Sequence, residues 1–266
     1  MLIEELVMLS YIGSMPADKP RVDDVELIED LLVTANGLQD FAQGLCDVAA
    51  QVASRETGIA VDCGISLSRP KRPSAVAGST AIAAQLMDGE HDTVDDGPCL
   101  EAWATGSRVL VGADAMEQRW PLHSKTLALA GYASALLVPF AFRDGACALM
   151  VFLAATPGAF TEDATPVIDR FNHTAHQALQ IALKTAAGSD RISDLHAAMR
   201  SRSVIDTACG MIMMQERCTQ EEAFRTLQRA SSARNKKLRL VAEEILRRAN
   251  SSAVRCRESG VGSSRT

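Results

Sequence analysis

The chain has seven cysteines, Cys46, Cys63, Cys99, Cys147, Cys209, Cys218 and Cys256, but no CxxC spacing and no cysteine set beside a histidine. An odd, scattered set of this kind excludes a disulfide framework and a zinc site, and it leaves the thiols to pack as small apolar residues. Long apolar runs are missing as well. Charges, glycines or prolines interrupt every candidate before the roughly 18 residues that a membrane-spanning helix requires. The apolar stretch over residues 1–14 carries Glu4 and Glu5 and no Lys or Arg, unlike a signal peptide. These absences predict a cytoplasmic chain that makes no membrane contact.

Catalytic signatures are equally absent. There is no Ser-His-Asp arrangement, Walker loop, HExxH motif, dinucleotide fingerprint or receiver-like acidic pocket. His173 and His176 stand three apart on a helical stretch, with no carboxylate or cysteine partner at ligand spacing, so no metal or haem site is indicated. The expectation is a protein that is not an enzyme, with no catalytic residue, no metal and a cofactor or ligand the sequence leaves unknown.

What is present begins with charge. The net balance of −6 conceals a division along the chain: residues 1–188 hold 12 basic and 24 acidic side chains, whereas residues 189–257 hold 14 basic and 8 acidic. An acidic body joined to a basic end is expected where only the end meets a polyanion. With 266 residues, of which 47% are apolar and 23% charged, two ordinary globular domains are expected.

Helical spacing over residues 23–55 predicts two helices, or one broken near Asn36-Gly37. Period-two alternation of Ile59, Val61, Cys63, Ile65 and Leu67 predicts a half-buried strand over 58–68. A short strand over 74–79, a helix over 80–87 and a polar loop over 88–97 follow. Pro98 then suits a first helical turn. Residues 108–111 read as a strand, 121–130 as a helix ended by Gly131, and 132–142 with 146–155 as a hairpin turning at Arg143-Asp144-Gly145. Beyond Phe160 the chain is helical, with Thr161 or Thr165 as N-cap and Gly188 as the expected hinge or break between domains.

The resulting fold class is α+β: an antiparallel sheet of five or six strands flanked by helices, followed by an all-α segment of three helices. In that segment Val204, Ile205, Ala208, Ile212 and Met213 form one apolar face, and the first helix ends at Arg217-Cys218. Thr219 and Glu222 have capping-box spacing. Ala223, Phe224, Leu227 and Ala230 form the packing face of the second helix, and Leu238, Val241, Ala242, Ile245 and Leu246 that of the third. The methionines Met211, Met213 and Met214 read as core. A long first helix in so small a bundle leaves an apolar face for a partner chain, which predicts a homodimer. Arg225, Arg229, Lys236, Lys237 and Arg239 form a cluster suited to a phosphate backbone.

The run from Ser201 to Met213 (SRSVIDTACGMIM), then Cys218-Thr219-Gln220-Glu221-Glu222-Ala223-Phe224, Leu227, Ser231, Leu238 and Val241-Ala242, resembles the ANTAR family of antitermination regulators. That resemblance implies a three-helix domain that binds paired hairpins in nascent RNA, with Arg202, Arg225, Arg229, Arg234, Lys236, Lys237 and Arg239 as candidate RNA contacts. Two positions depart from the family: Cys209 stands where Lys is common, which removes a cationic contact, and Arg217 stands where a helix-ending Gly is common. Upstream, Gly97-Pro98-Cys99, Ala102, Gly106, Arg119-Trp120-Pro121, Gly131, Ser134, Val138-Pro139 and Ala159-Phe160-Thr161 resemble a GAF domain, the type often joined to ANTAR in actinobacterial proteins. This implies a small-molecule ligand held over one sheet face, near Cys99, Trp103, Trp120 and Tyr132. The expected order is a flexible leader over 1–22, a GAF-like sensor over 23–187, an ANTAR domain over 188–250 and a disordered tail over 251–266. The competing expectation is a dimeric protein-interaction or DNA-binding regulator without RNA activity.

Overall fold

The computed structural model describes residues 22–89, 97–112, 119–161 and 165–260. The chain forms two units, residues 1–186 and 187–266. Residues 1–21 of the leader lie outside the described residues, as does most of the predicted polar loop over 88–97, and Val22, the last residue given to the leader, opens the first helix.

The first unit opens with α1 (Val22–Thr34) and α2 (Leu38–Thr57). The predicted break at Asn36-Gly37 is present: Gly37 has φ 130°, and the Asn36 N–H donates to the Asp40 carboxylate at 3.0 Å. Gly58, left-handed at φ 71°, ends α2 by donating its N–H to the Ser54 carbonyl. The Ser54 hydroxyl accepts the Val61 N–H at 2.9 Å, tying the helix end to the start of β1 (Val61–Ser68). The strand therefore begins three residues later than the alternation predicted.

Four further strands complete the sheet: β2 (Ala75–Gly78), β3 (Val109–Gly112), β4 (Ser134–Ala141) and β5 (Cys147–Ala154). Their order is β2-β1-β5-β4-β3 and all pairs are antiparallel. The hairpin of β4 and β5 turns where predicted, with Gly145 left-handed at φ 73° and its N–H on the Phe142 carbonyl. Pro139, which has no N–H to give a ladder, lies beyond the part of β4 that β3 covers.

Both faces of the sheet are covered. One packs on α1, α2 and the first part of α6 (Thr165–Glu216), with Phe41, Leu45, Ile65, Phe140, Met150, Phe152 and Phe171 among the buried side chains. The other packs under α3 (Ala81–Gly89), α4 (Pro98–Thr105) and α5 (Pro121–Leu129). This corrects the reading of β1 as half-buried. Its small residues, Gly64 and Ser66, point at a second layer and not at water, since α3 lies close enough that a Cβ at Gly78 would stand 2.4 Å from the Ala84 nitrogen.

Helix α6 is 52 residues long and runs unbroken through Gly188, so the expected hinge or break between domains is no break in the helix, although the two units divide beside it, between Ala186 and Ala187. A glycine in a helix interior costs about 1 kcal/mol relative to alanine, yet it keeps its N–H and introduces no clash, so neighbours such as Ala186 and Ala187 carry the helix through.

In the second unit α6 is followed by α7 (Gln220–Arg234) and α8 (Leu238–Gly260). Helix α8 thus runs past residue 250, where the sequence reading ends the domain. Ala208, Cys209, Ile212, Ala223, Leu227, Val241 and Ala242 form the core. Phe224 is the exception to the predicted packing face. Ala223 and Leu227 define the buried stripe of α7, and Phe224, about 100° round the helix from Ala223, is left 37% exposed. Met213 lies at the core margin, but Met214 is 84% exposed, which corrects its reading as core.

Candidate functional site

The basic surface of the second unit is built by two turns. Arg217 ends α6 in the left-handed conformation, φ 52°, that a glycine would adopt without strain. Thr219 then starts α7 with both halves of a capping box: its hydroxyl accepts the Glu222 N–H at 3.4 Å, and its N–H donates to the Glu222 carboxylate at 2.8 Å. The Thr219 N–H and then its hydroxyl, which also donates to the carboxylate at 2.9 Å, hold the exposed Glu222 carboxyl below its usual range. Asn235 ends α7 in the same left-handed conformation, at φ 49°, and donates to Ser231 and Ser232.

All seven predicted RNA contacts are exposed. Five of them are paired. Arg202 lies 3.8 Å from Asp206, Arg225 3.3 Å from Glu221, and Arg239 3.3 Å from Glu243. Arg234 and Lys236 converge on Glu244 at 3.1 and 2.6 Å, and the Lys236 hydrogen bond holds that carboxyl low. Arg229 reaches only Thr226, at 3.5 Å. Among the described residues Lys237 has no ion pair. Exposed pairs of this kind are worth about 0–1 kcal/mol, so they hold these cations only weakly. The exception is the double contact of Glu244, which gives Arg234 and Lys236 a part in fixing the α7–α8 turn. Sequence spacing missed that role, because the carboxylate comes from the next helix.

Cys209 does not sit with these cations. Its side chain is 3% exposed in the three-helix core, and burial pushes its thiol pKa up. The position replaces core volume, so no surface contact is lost there.

In the first unit Cys99, Trp103, Trp120 and Tyr132 all belong to the cluster between the sheet and helices α3, α4 and α5. Trp120 and Tyr132 are buried within it, while Cys99 and Trp103 are half-buried at its margin. Tyr132 donates its hydroxyl to Asp62 at 2.5 Å, and Thr80 lies 3.5 Å from the same oxygen. Burial first, and then the Asp62 bond, push the Tyr132 pKa up to about 12. Asp62, a lone carboxylate in an apolar strand, is the polar centre of this face. Its place in the alternation of β1 was the available signal for it.

Arg119 stacks over Trp120, 4.6 Å from the ring centroid, and pairs with Glu101 at 2.5 Å. These residues line a cleft of about 370 Å³ with Ser107, Arg108 and Leu110. Of the four predicted ligand residues, Trp120 alone lines this cleft.

His176 lies on the opposite face. Its ring stacks on Phe142 at 5.0 Å and 7°, and Nε2 lies 3.3 Å from the Ala141 carbonyl. Burial lowers its pKa. His173 contacts Gln177. Among the described residues no group of three or more His, Cys, Asp or Glu side chains is arranged to hold a metal ion, and no described helix is long and apolar enough to cross a membrane.

Comparison with known proteins matches residues 35–180 to the GAF domain and residues 193–246 to the ANTAR domain. No curated protein matches the chain. Among solved structures, the chain is similar to the N-acylhomoserine lactone dependent LuxR family transcription factor CepR2 from Burkholderia cenocepacia, with 15% identity, 61% of this chain and 99% of that one covered, and a TM-score of 0.46. It is also similar to the GAF domain of an Acinetobacter phosphoenolpyruvate-protein phosphotransferase, with 16% identity, 64% and 96% covered, and a TM-score of 0.43. Escherichia coli SdiA gives 11% identity, 82% and 93% covered, and a TM-score of 0.45.

Proposed function

The chain belongs to the regulators that join a GAF domain to an ANTAR domain, and from that premise we propose that it is a ligand-responsive antiterminator that binds hairpin RNA as a homodimer. The observation that carries this reading is the exposed basic surface of α7 and the α7–α8 turn, with Arg225, Arg229, Lys237 and Arg239 held only by weak exposed contacts or none. Phe224, left exposed beside Arg225, offers a ring on which an unpaired loop base stacks.

Dimerisation is supported by α6, where Ile192, Leu195 and Met199 are each about 60% exposed at the i, i+3, i+7 spacing of a coiled-coil seam. The sensed molecule is assigned to the sheet face of Trp103, Trp120 and Tyr132, with Asp62 as acceptor for a ligand donor.

The test is a shift assay with a tandem-hairpin RNA over a salt series. Replacing both Arg225 and Arg229 by Ala is expected to reduce the salt slope by about 1.5 and the affinity at least tenfold. Duplex DNA competing as well as the hairpin, or no hairpin binding at any salt, sinks the RNA reading in favour of a DNA-binding or protein-interaction regulator.

A further inference from the structure

Three cations of the acidic first unit meet at one end of the sheet. Register places the β1–β2 loop and the β4–β5 turn at that end, because Ser68 pairs with Cys147 and Cys147 with Ala141. The two are in contact: a Cβ at Gly145 would stand 3.5 Å from Pro70 Cγ. Lys71 in the loop, Arg143 in the turn and Lys184 on α6 hold no ion pair among the described residues. By contrast Arg55, Arg108 and Arg119 are each paired, with Asp24, Asp169 and Glu101.

Arg143 and Lys184 stand on opposite sides of a cleft of about 310 Å³ between the turn and α6. Phe142, Ala146 and Leu183 line it with hydrocarbon, and Gln180 adds an amide. The cleft has a firm wall, since Phe142 is stacked against His176, itself held at the Ala141 carbonyl. The one acidic group lining the cleft is Asp144.

We propose that this cleft is a second ligand site, for a small organic carboxylate whose charged end lies between Arg143 and Lys184 and whose hydrocarbon body lies on Phe142, Ala146 and Leu183. Three features select that class. The guanidinium fork matches a carboxylate in two parallel hydrogen bonds, with Lys184 as a point charge opposite. Asp144 repels a doubly charged group more than a singly charged one. The volume is at the small end of ligand sites, about 300 to 1,000 Å³. The cleft lies on the opposite sheet face from Trp120 and Tyr132, so the two sites are spatially separate. It borders α6, the helix that continues to Glu216.

The experiment is NMR titration of the full chain with benzoate and, separately, with inorganic phosphate, following the Gln180 amide and the His176 ring. Benzoate is expected to give saturable shifts in the millimolar range, and Arg143→Gln and Lys184→Gln each to weaken it about tenfold. Both positions are exposed, so the variants keep the fold, and Lys125→Gln, at an exposed cation of α5 away from both clefts, serves as the control that leaves benzoate binding unchanged. No saturation below about 10 mM, phosphate binding as tightly as benzoate, or both cleft variants retaining wild-type affinity overturns the proposal.

Discussion

The two units reach stability by different means. The first unit buries large side chains on both faces of a five-stranded sheet, with Phe41, Phe140 and Phe152 nearly inaccessible on one face and Met87, Leu137 and Leu153 on the other. The ANTAR unit has, among the described residues, a core of seven buried side chains, four of them Ala or Cys, and relies on local devices: a capping box at Thr219 and left-handed residues at Arg217 and Asn235. A small core leaves little reserve, so single changes register strongly there and weakly in the sheet.

Leu227→Ala attacks that difference most directly. Removing the largest fully buried side chain of the small core should cost about 2–5 kcal/mol and melt the second unit while the sheet unit still unfolds near its wild-type midpoint. A single shared transition, shifted as a whole, would show that the units do not differ in this way.

Thr219→Ala removes the hydroxyl half of the capping box, leaving the backbone N–H of residue 219 on the Glu222 carboxylate, and should lower the stability of the second unit by about 1 kcal/mol in denaturant titration, with the sheet unit again unaffected. The effect of Arg217→Gly has the opposite sign. It relieves a left-handed Arg and should raise the same midpoint by up to about 1 kcal/mol.

The smallest expected effect belongs to the sensor. The folded state holds the His176 pKa below its usual 6.5, because burial favours the neutral ring. The unfolded chain therefore takes up the proton first. Stability from this group is complete above about pH 6.5 and declines as pH falls towards the folded pKa, below which it levels off. Unfolding of the first unit, followed from about pH 7.5 to 5, should show this slope in the wild type and lose it in His176→Phe.

Much of this architecture was legible beforehand. Turn chemistry at Gly37, Gly145 and Thr219 acts within a few residues, so it placed the α1–α2 break, the β4–β5 hairpin and the start of α7. The ordered ANTAR motif placed the basic surface for the same reason. Legibility failed where the deciding neighbour is distant in sequence. Asp62 is tied to Tyr132, 70 residues away, and Glu244 reaches back to Arg234 and Lys236 from a different helix. Alternation in β1 could not reveal that α3 covers its second face. At Gly188, composition suggested a break that only a competing partner or a proline would have enforced.

The sequence by itself therefore determined the two families, the order of elements and the cationic side chains of α7 and its turn, because caps, periodicity and charge are local properties. Tertiary structure alone decided which of those side chains are free. It buried Cys209 in the three-helix core, left Phe224 and Met214 in solvent, spent Arg234 and Lys236 on Glu244 and brought Arg143 to a cleft bordered by Lys184. Each of those outcomes depends on which element packs beside which, and that is a property of the assembled layers and not of any single stretch of chain.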